Sequence, residues 1–326
     1  NYYSNKMMNP VISVIMPVYN AEKFIGQAVQ SILNQTFKNF ELIIINDGST
    51  DKSEKIIENF SDNRIRYFSF KNKGVSASRN YGISVSLGKF IALMDADDIS
   101  DSERLEKQLN FLMDNSHIQV VGTNCEIINQ YGKVIGKKKF PEYHEQIEFL
   151  APLFNSMCFA SIMILKESIL KIGRYKEDLI AAGDHELLLR LLLDGFKVKN
   201  IQENLYTCRK VSDSISHKYL HIQKSNHYVN AYSYLNTPEI IQKDFRNNFR
   251  KGLLEYYYGD ISRCRKYLFK SLEEKSVSKL KVFRLLLVSI LGHRFISLLR
   301  AKGVLPQINK MFYTMFRIDF QKVKET

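Results

Sequence analysis

Three carboxylates fall within four positions at Asp95, Asp97 and Asp98, directly after the apolar run FIALM at residues 90–94. Like charges this close repel one another unless water, hydrogen bonds or a cation offsets them. An Asp-x-Asp held at a strand end supplies the hard oxygen ligands that Mg2+ or Mn2+ takes, with waters and substrate phosphates completing the shell. The same residues also suit a solvated acidic turn capping a helix that begins near Asp101. Asp47 ends another apolar run and is followed by Gly48 and Ser49, which allow a tight turn. It fits hydrogen bonding to a base or ribose, or helix capping, a task open equally to Ser49 and Asp51. In NKGVSASRNYG, residues 72–82, Gly74 precedes a helix that carries Arg79 and Asn80. A helix N-terminus with an arginine suits an anionic group, and a pairing of Arg79 with one of the aspartates is the plainer use.

The elements that would position these groups alternate. Residues 11–16, 42–45 and 90–94 are short, β-rich apolar runs ending in turn-forming residues, as strands buried on both faces read. Phe24, Ile25, Ala28, Val29, Ile32 and Leu33 share one helical face, and Ile56, Ile57 and Phe60 another. Residues 101–113 predict a third helix, with Leu105, Leu109 and Leu112 inward and Glu103, Arg104 and Lys107 outward. Strand and helix in alternation predict a parallel sheet with helices on its faces. Ligands bind such sheets at the carboxyl ends of the strands, and the clusters PVYN, NDGSTD and DADD all lie there. Residues 120–140 read as two strands joined by a turn near Tyr131 and Gly132. From about Tyr219 helices take over, and YYYGDISRCRKYLFKSLEEKS reads as part of a helical hairpin.

The expected fold is therefore α/β, with a mostly parallel sheet, followed by a helical C-terminal region and a boundary near residue 220. The 45% hydrophobic and 12% aromatic content exclude disorder as the main state. Cys125, Cys158, Cys208 and Cys264 are far apart and lack the short paired spacings of zinc sites, which implies reduced thiols in a cytosolic protein. With residues 1–9 set aside, no apolar signal segment follows. The net charge of +13 is concentrated in residues 240–326, where 19 Lys plus Arg face 7 Asp plus Glu. That region includes VFRLLLVSILGHRFISLLR, residues 282–300, whose basic and apolar residues suit a helix lying on an anionic membrane surface or one packed on its own domain. Its apolar run 285–291 is far short of the ~20 residues needed to span a bilayer.

The ordered set VISVIMPVYNAEKFIGQAVQSILNQTF, ELIIINDGSTD, NKGVSASRNYGI and KFIALMDADD closely resembles the nucleotide-sugar half of the family 2 glycosyltransferases, which have the GT-A, Rossmann-like fold. The resemblance covers residues 10–220 and leaves 221–326 as a basic helical region. It implies that Pro17, Val18, Tyr19, Asn20, Glu22, Asp47 and Arg79 surround the nucleoside of a UDP-sugar. It also implies that Asp95 meets the ribose, with Ala96 beside it, and that Asp97 binds Mg2+ or Mn2+ on the diphosphate. IAAGDHELLLRLLLDGFKV, residues 180–198, resembles the family's acceptor-side helix, whose opening acidic pair is here Gly183 and Asp184. Asp184 is then the expected general base, with Glu186 a competitor. Displacement opposite the diphosphate would invert the anomeric configuration. CRKVSDSIS resembles a segment in which relatives carry a histidine at the position of Val211, and His217 is the candidate to assist the metal. The implied activity is sugar transfer from a UDP-sugar to a growing, lipid-linked glycan of a surface polysaccharide, at the cytoplasmic face of the membrane, with no nucleic acid involved. A nucleotidyltransferase, a nucleic-acid-binding protein using the basic tail and a catalytically inactive UDP-binding relative are the rival readings.

Overall fold

The computed structural model describes residues 9–211, 219–243 and 246–274, together with 277, 279, 282, 285 and 286. Residues 1–234 and 235–326 form two compact units.

The first unit opens with β1 (Ile12–Val18), α1 (Ile25–Leu33), β2 (Phe40–Asn46), α2 (Ser53–Glu58), β3 (Ile65–Ser69), α3 (Val75–Val85) and β4 (Phe90–Leu93). It continues through β5 (Ile99–Ser100), α4 (Arg104–Asp114), β6 (Val120–Asn129), β7 (Val134–Lys138), α5 (His144–Leu150), β8 (Met163–Leu165), α6 (Lys166–Lys171), α7 (Gly183–Leu193) and β9 (Val198–Lys210). The helix Leu220–Leu235 follows. One sheet runs in the order β3-β2-β1-β4-β8-β6-β9-β5, with β7 paired to β6. The first four strands are parallel, β8 runs antiparallel to both neighbours, and β6 and β9 are parallel again.

Every residue of β2 and β4 is buried, as is all of β1 except Pro17. Each fully buried Ile or Leu contributes about 1.5–3 kcal/mol, so these apolar runs drive the sheet into the centre of a helix sandwich. β1 passes through Pro17, which pairs with Ile45. Ile15 accepts from Met94 N–H, so Pro17, two residues on, also faces the β4 side. The last β1–β4 pair is Ile15 with Leu93, and the N–H that proline lacks would point where β4 has already turned away. α3 lies close on β1: a Cβ added at Gly82 would come within 2.6 Å of Ile15.

The helix over 104–114 buries Leu105, Leu109 and Leu112 as its periodicity predicts. Arg104, expected outward, is instead fully buried. Its guanidinium donates to the carbonyls of Leu93 and Ala160 and lies 5.2 Å from the Tyr206 ring centroid. Gln108, one turn on, is also fully buried and donates to Val121 and Ser161 carbonyls. The buried stripe is thus wider than the leucines alone, because strand-end carbonyls from elsewhere in the chain need donors.

β6 and β7 form the hairpin expected around Gly132, whose φ is +83°. β7 pairs only with β6 among the described residues. Val134 and Ile135 are half exposed there, beside Lys133, Lys137 and Lys138.

The second unit contains helices Pro238–Lys243, Asn247–Tyr258 and Ile261–Ser271. The last two pack as the expected hairpin around Gly259, and the Asp260 carboxylate accepts Arg263 N–H to cap the return helix. Of the basic segment 282–300, Val282, Leu285 and Leu286 are described and buried; its other residues lie outside the described part. No described helix is long and apolar enough to cross a membrane.

Candidate active site

The loops after β1 and β2 are stitched together. Asn20 N–H donates to Ser49 Oγ at 3.0 Å, and Thr50 N–H returns to Asn20 Oδ1 at 2.8 Å. Glu22 N–H donates to Asp51 at 2.9 Å while Lys52 N–H donates to the Glu22 carboxylate at 3.0 Å. Asn20 adopts φ +49°, a left-handed conformation that asparagine tolerates. Pro17 and Val18 end β1, Val18 is buried, and Tyr19 leaves the sheet half exposed.

Asp47 is buried, and its two oxygens accept the N–H groups of Lys73 and Gly74 at 2.8 and 2.9 Å. It therefore fixes the start of α3. Gly48 makes that approach feasible: its φ is +75°, and a Cβ there would lie 2.8 Å from Asn72 N.

Arg79 projects from α3 with 7% of its side chain exposed. One terminal nitrogen donates to Asp184 at 2.7 Å and the other to Asp95 at 3.0 Å. Its plane lies 5.2 Å from the Tyr175 ring centroid. The sequence-predicted pairing with an aspartate is thus double, and it joins the loop after β4 to the first turn of α7. Burial would weaken the Arg79 charge, but Asp184, Tyr175 and Asp95 raise its pKa and keep it a cation. Asp184 itself is raised above the ordinary carboxylate range, chiefly by burial, with Arg79 opposing and Asp95 adding to the rise. This holds although 37% of its side chain remains open to solvent.

Asp97 is raised to about 6 by burial and by the charge of Asp95. Among the described residues its carboxylate is in no ion pair; Asp95 and Asp98 crowd it, and the Arg209 charge opposes the rise only in part. Asp98 is pushed well up by burial and by both neighbours, and accepts Arg209 N–H at 2.7 Å. Asp97, in no ion pair, and Asp95, paired on one oxygen with Arg79, therefore offer hard-oxygen ligands of the kind Mg2+ or Mn2+ takes. His217 lies outside the described residues.

Glu186, the other carboxylate in the first turn of α7, is engaged elsewhere. It is buried and takes a two-point bond from Arg190, 2.7 Å at each oxygen, plus Lys176 at 2.9 Å. Ala182, at φ +64°, starts α7, and at Gly183 a Cβ would meet Ser76 Oγ at 3.4 Å.

Two positioning residues escaped the sequence reading. Arg209 gives Nε–H to the Asp97 carbonyl at 2.8 Å and a terminal N–H to Gln27 at 2.7 Å, and lies 4.6 Å from the Phe24 ring. It clasps the DADD loop onto α1. Tyr175 is locked by reciprocal 2.9 Å bonds with Asn80 and sends its hydroxyl toward Asp184. Arg209 lies inside the quoted CRKVSDSIS and Tyr175 lies ahead of IAAGDHE, and neither position by itself signals its contacts.

Residues 13–173 match the model of Glycosyl transferase family 2. The putative glycosyltransferase EpsE of Bacillus subtilis is 34% identical over 215 residues, covering 64% of this chain and 76% of EpsE. The O-antigen biosynthesis glycosyltransferase WbnJ of Escherichia coli is 35% identical over 201 residues, covering 61% of this chain and 77% of WbnJ. In fold, the chain is similar to S. aureus TarS in complex with UDP-GlcNAc, with a TM-score of 0.64, 18% identity and coverage of 91% and 92% of the two chains. The mannosyltransferase PcManGT of Pyrobaculum calidifontis, in complex with GDP-Man and Mn2+, gives a TM-score of 0.54 at 15% identity, covering 89% and 83%.

Proposed function

The chain belongs to glycosyl transferase family 2, and from that premise we propose that this glycosyltransferase moves a hexose or N-acetylhexosamine from a UDP-sugar to a lipid-linked glycan, with inversion and with a divalent metal. The observation that carries the reading is the Arg79 bridge. One guanidinium spans Asp95 of the donor loop and Asp184 of α7, so the reacting centre is confined between two carboxylates of distinct duty.

Asp184, whose pKa is raised by burial while Arg79 opposes the rise, can in its ionised form accept the proton of the acceptor hydroxyl as that oxygen attacks the anomeric carbon. Asp47 orders the N-terminus of α3 and thereby places Arg79. Pro17, Val18, Tyr19, Asn20 and Glu22 are assigned to the nucleoside, Asp95 and Ala96 to the ribose. Asp97, with Asp95 beside it, would hold Mg2+ or Mn2+. When bound, that ion neutralises charge on the departing diphosphate. Attack from the Asp184 side, opposite the leaving group, converts a UDP-α-sugar to a β-linkage. The TarS complex with UDP-GlcNAc and the PcManGT complex with GDP-Man and Mn2+ support a nucleotide-sugar donor and a metal; WbnJ supports surface-polysaccharide synthesis.

Residues 10–220 are assigned donor binding and catalysis, and 221–326 contact with an anionic cytoplasmic membrane face through their excess of Lys and Arg. Because Val282, Leu285 and Leu286 are buried, the contact is electrostatic rather than by insertion of those three.

Calorimetric titration with UDP and GDP, each with and without Mn2+, on wild type and Asp97→Ala tests the donor site. Metal-dependent UDP binding that collapses in the variant is expected. Preference for GDP overturns the UDP assignment, and binding of neither nucleotide overturns the site. The anomeric configuration of the product, read by proton NMR, tests inversion.

A further inference from the structure

The four cysteines are distant in sequence, yet the fold brings three of them to one point. Cys125 lies on β6 and Cys208 on β9, and parallel pairing sets Cys125 opposite Tyr206 and Ile127 opposite Cys208. Cys158 leads into the 3-10 turn Phe159–Ser161. The three sulfurs all lie within 4.8 Å of one another, with Cys158 and Cys208 at 3.6 Å. None is in a disulfide; Cys125 and Cys158 are buried and Cys208 partly so.

A triangle with edges of 3.6 to 4.8 Å has a centre about 2.1–2.8 Å from each corner, which brackets the ~2.3 Å of a metal–thiolate bond. Apolar packing explains one or two buried thiols. It does not explain the charge beside them. Arg104, fully buried, acts on Cys158 and Tyr206, pairs with no carboxylate among the described residues, and has no partner at Nε. Asp98 acts on it as well, but without an ion pair among the described residues. A buried guanidinium without a counter-ion is expensive, and a cluster of thiolates around a cation is a fitting counter-charge.

We propose that Cys125, Cys158 and Cys208 form a binding site for a thiophilic d10 cation, Zn(II) or Cu(I), held by three thiolates with Arg104 as the buried counter-charge. Soft thiolates select such ions over the Mg2+ or Mn2+ suited to Asp97. Each sulfur binds as its thiolate, so the ion enters as protons leave. An unperturbed thiol, with a pKa of about 8.5, is mostly protonated near neutral pH, so filling a three-thiolate site releases at least two protons. The occupied site would also tighten the donor loop, because Arg209 follows Cys208 directly and grips Asp97 and Asp98.

The full chain, reduced and stripped of metal, is titrated with Cd(II) while the ultraviolet thiolate charge-transfer band is followed; carboxylate sites give no such band. One Cd(II) per chain is expected, with release of at least two protons near neutral pH in weak buffer. Cys158→Ser should weaken uptake at least tenfold, while Cys264→Ser, in the other unit, leaves it unchanged. Displacement of Cd(II) by Zn(II) or by Cu(I) identifies the ion. The absence of the band, uptake unchanged in Cys158→Ser, or release of fewer than two protons overturns the proposal. The proton count is made on wild type, so a variant that fails to fold does not spare it. Loss of UDP binding with the band intact would instead count against the donor site.

Discussion

Replacing Arg79 with lysine separates charge from geometry where the donor loop meets α7. The guanidinium reaches Asp184 at 2.7 Å and Asp95 at 3.0 Å. Lysine keeps the charge but has no fork, so it satisfies one carboxylate at a time. The bond lost is charge-assisted, about 1.5–3 kcal/mol where water cannot replace it. Both carboxylates keep 37% of their side-chain surface exposed, so rehydration returns part of this and the net loss falls to about 1–1.5 kcal/mol. For a chain of this size that lowers Tm by roughly 2–6 °C. A similar loss of positioning in the transition state lowers kcat about tenfold. The pH dependence distinguishes this from simple destabilisation. Arg79 pulls the Asp184 pKa down against burial, so a weaker or more distant cation lets it rise. The base must be ionised to act, and the acid limb of kcat therefore moves to higher pH. Arg79→Ala should move it further and cost about 3 kcal/mol of stability, at the low end for a broken buried pair. Donor-dependent nucleotide release, followed from about pH 4.5 to 8 beside thermal melts, measures both. An acid limb that stays or moves down in both variants, with kcat within about twofold of wild type, refutes the bridge as the organising contact.

Asp184→Asn should lower kcat by about 10²–10⁴ while UDP affinity by calorimetry changes little, as removal of a base requires. Glu186→Gln should leave the base in place but destabilise the chain by about 3 kcal/mol in denaturant melts, because Arg190 and Lys176 lose a buried partner. Mn2+ affinity should weaken as pH falls below about 6, since protons then compete for Asp97; the loss should be absent in Asp97→Ala, whose residual metal binding titrates without that step. His185 and His227 stack with ring centroids 3.6 Å apart and are held neutral, with pKa lowered mainly by burial to about 3 and about 4. The unfolded chain binds protons that the folded chain refuses, so stability present near neutral pH is lost as pH falls from about 6.5 toward 4. Each residue contributes on the order of 2 kcal/mol to that loss at about pH 5, and His185→Gln should flatten the acid side of a Tm-against-pH curve.

What the sequence shows and hides follows from the range of the interactions. ISVIMPV and FELIIIN are mostly apolar, so their burial and parallel pairing could be read locally, although the buried bond from Ser13 to Glu41 could not, and the convergence of PVYN, NDGSTD and DADD follows from strand direction alone. The antiparallel β8 was not legible, because three residues of MIL carry no direction. Arg104 was read outward because helical periodicity counts apolar residues only. Its destination is set by carbonyls of Leu93 and Ala160, which reach it through the fold. Arg209 acts through backbone groups of the donor loop, and the thiol triangle exists only once β6 and β9 pair; neither leaves a spacing to find. Asp184 was legible through resemblance, but its tie to Arg79 across 105 residues needed the structure.

The lone pairing of β7 also bears on how the protein behaves when concentrated. Among the described residues no strand pairs with its outer backbone, which lies next to half-exposed Val134 and Ile135 and offers a template for strand addition by another molecule. Lys133, Lys137, Lys138 and Lys139 surround that template with positive charge, so two copies brought edge to edge would repel. This protection is ionic and fails in two foreseeable ways: by screening at high salt, and by acylation or substitution of the lysines. Workers who mutate Lys137 and Lys138 to apolar residues should expect precipitation of a chain that is still correctly folded, and should not read poor recovery as damage to the catalytic half.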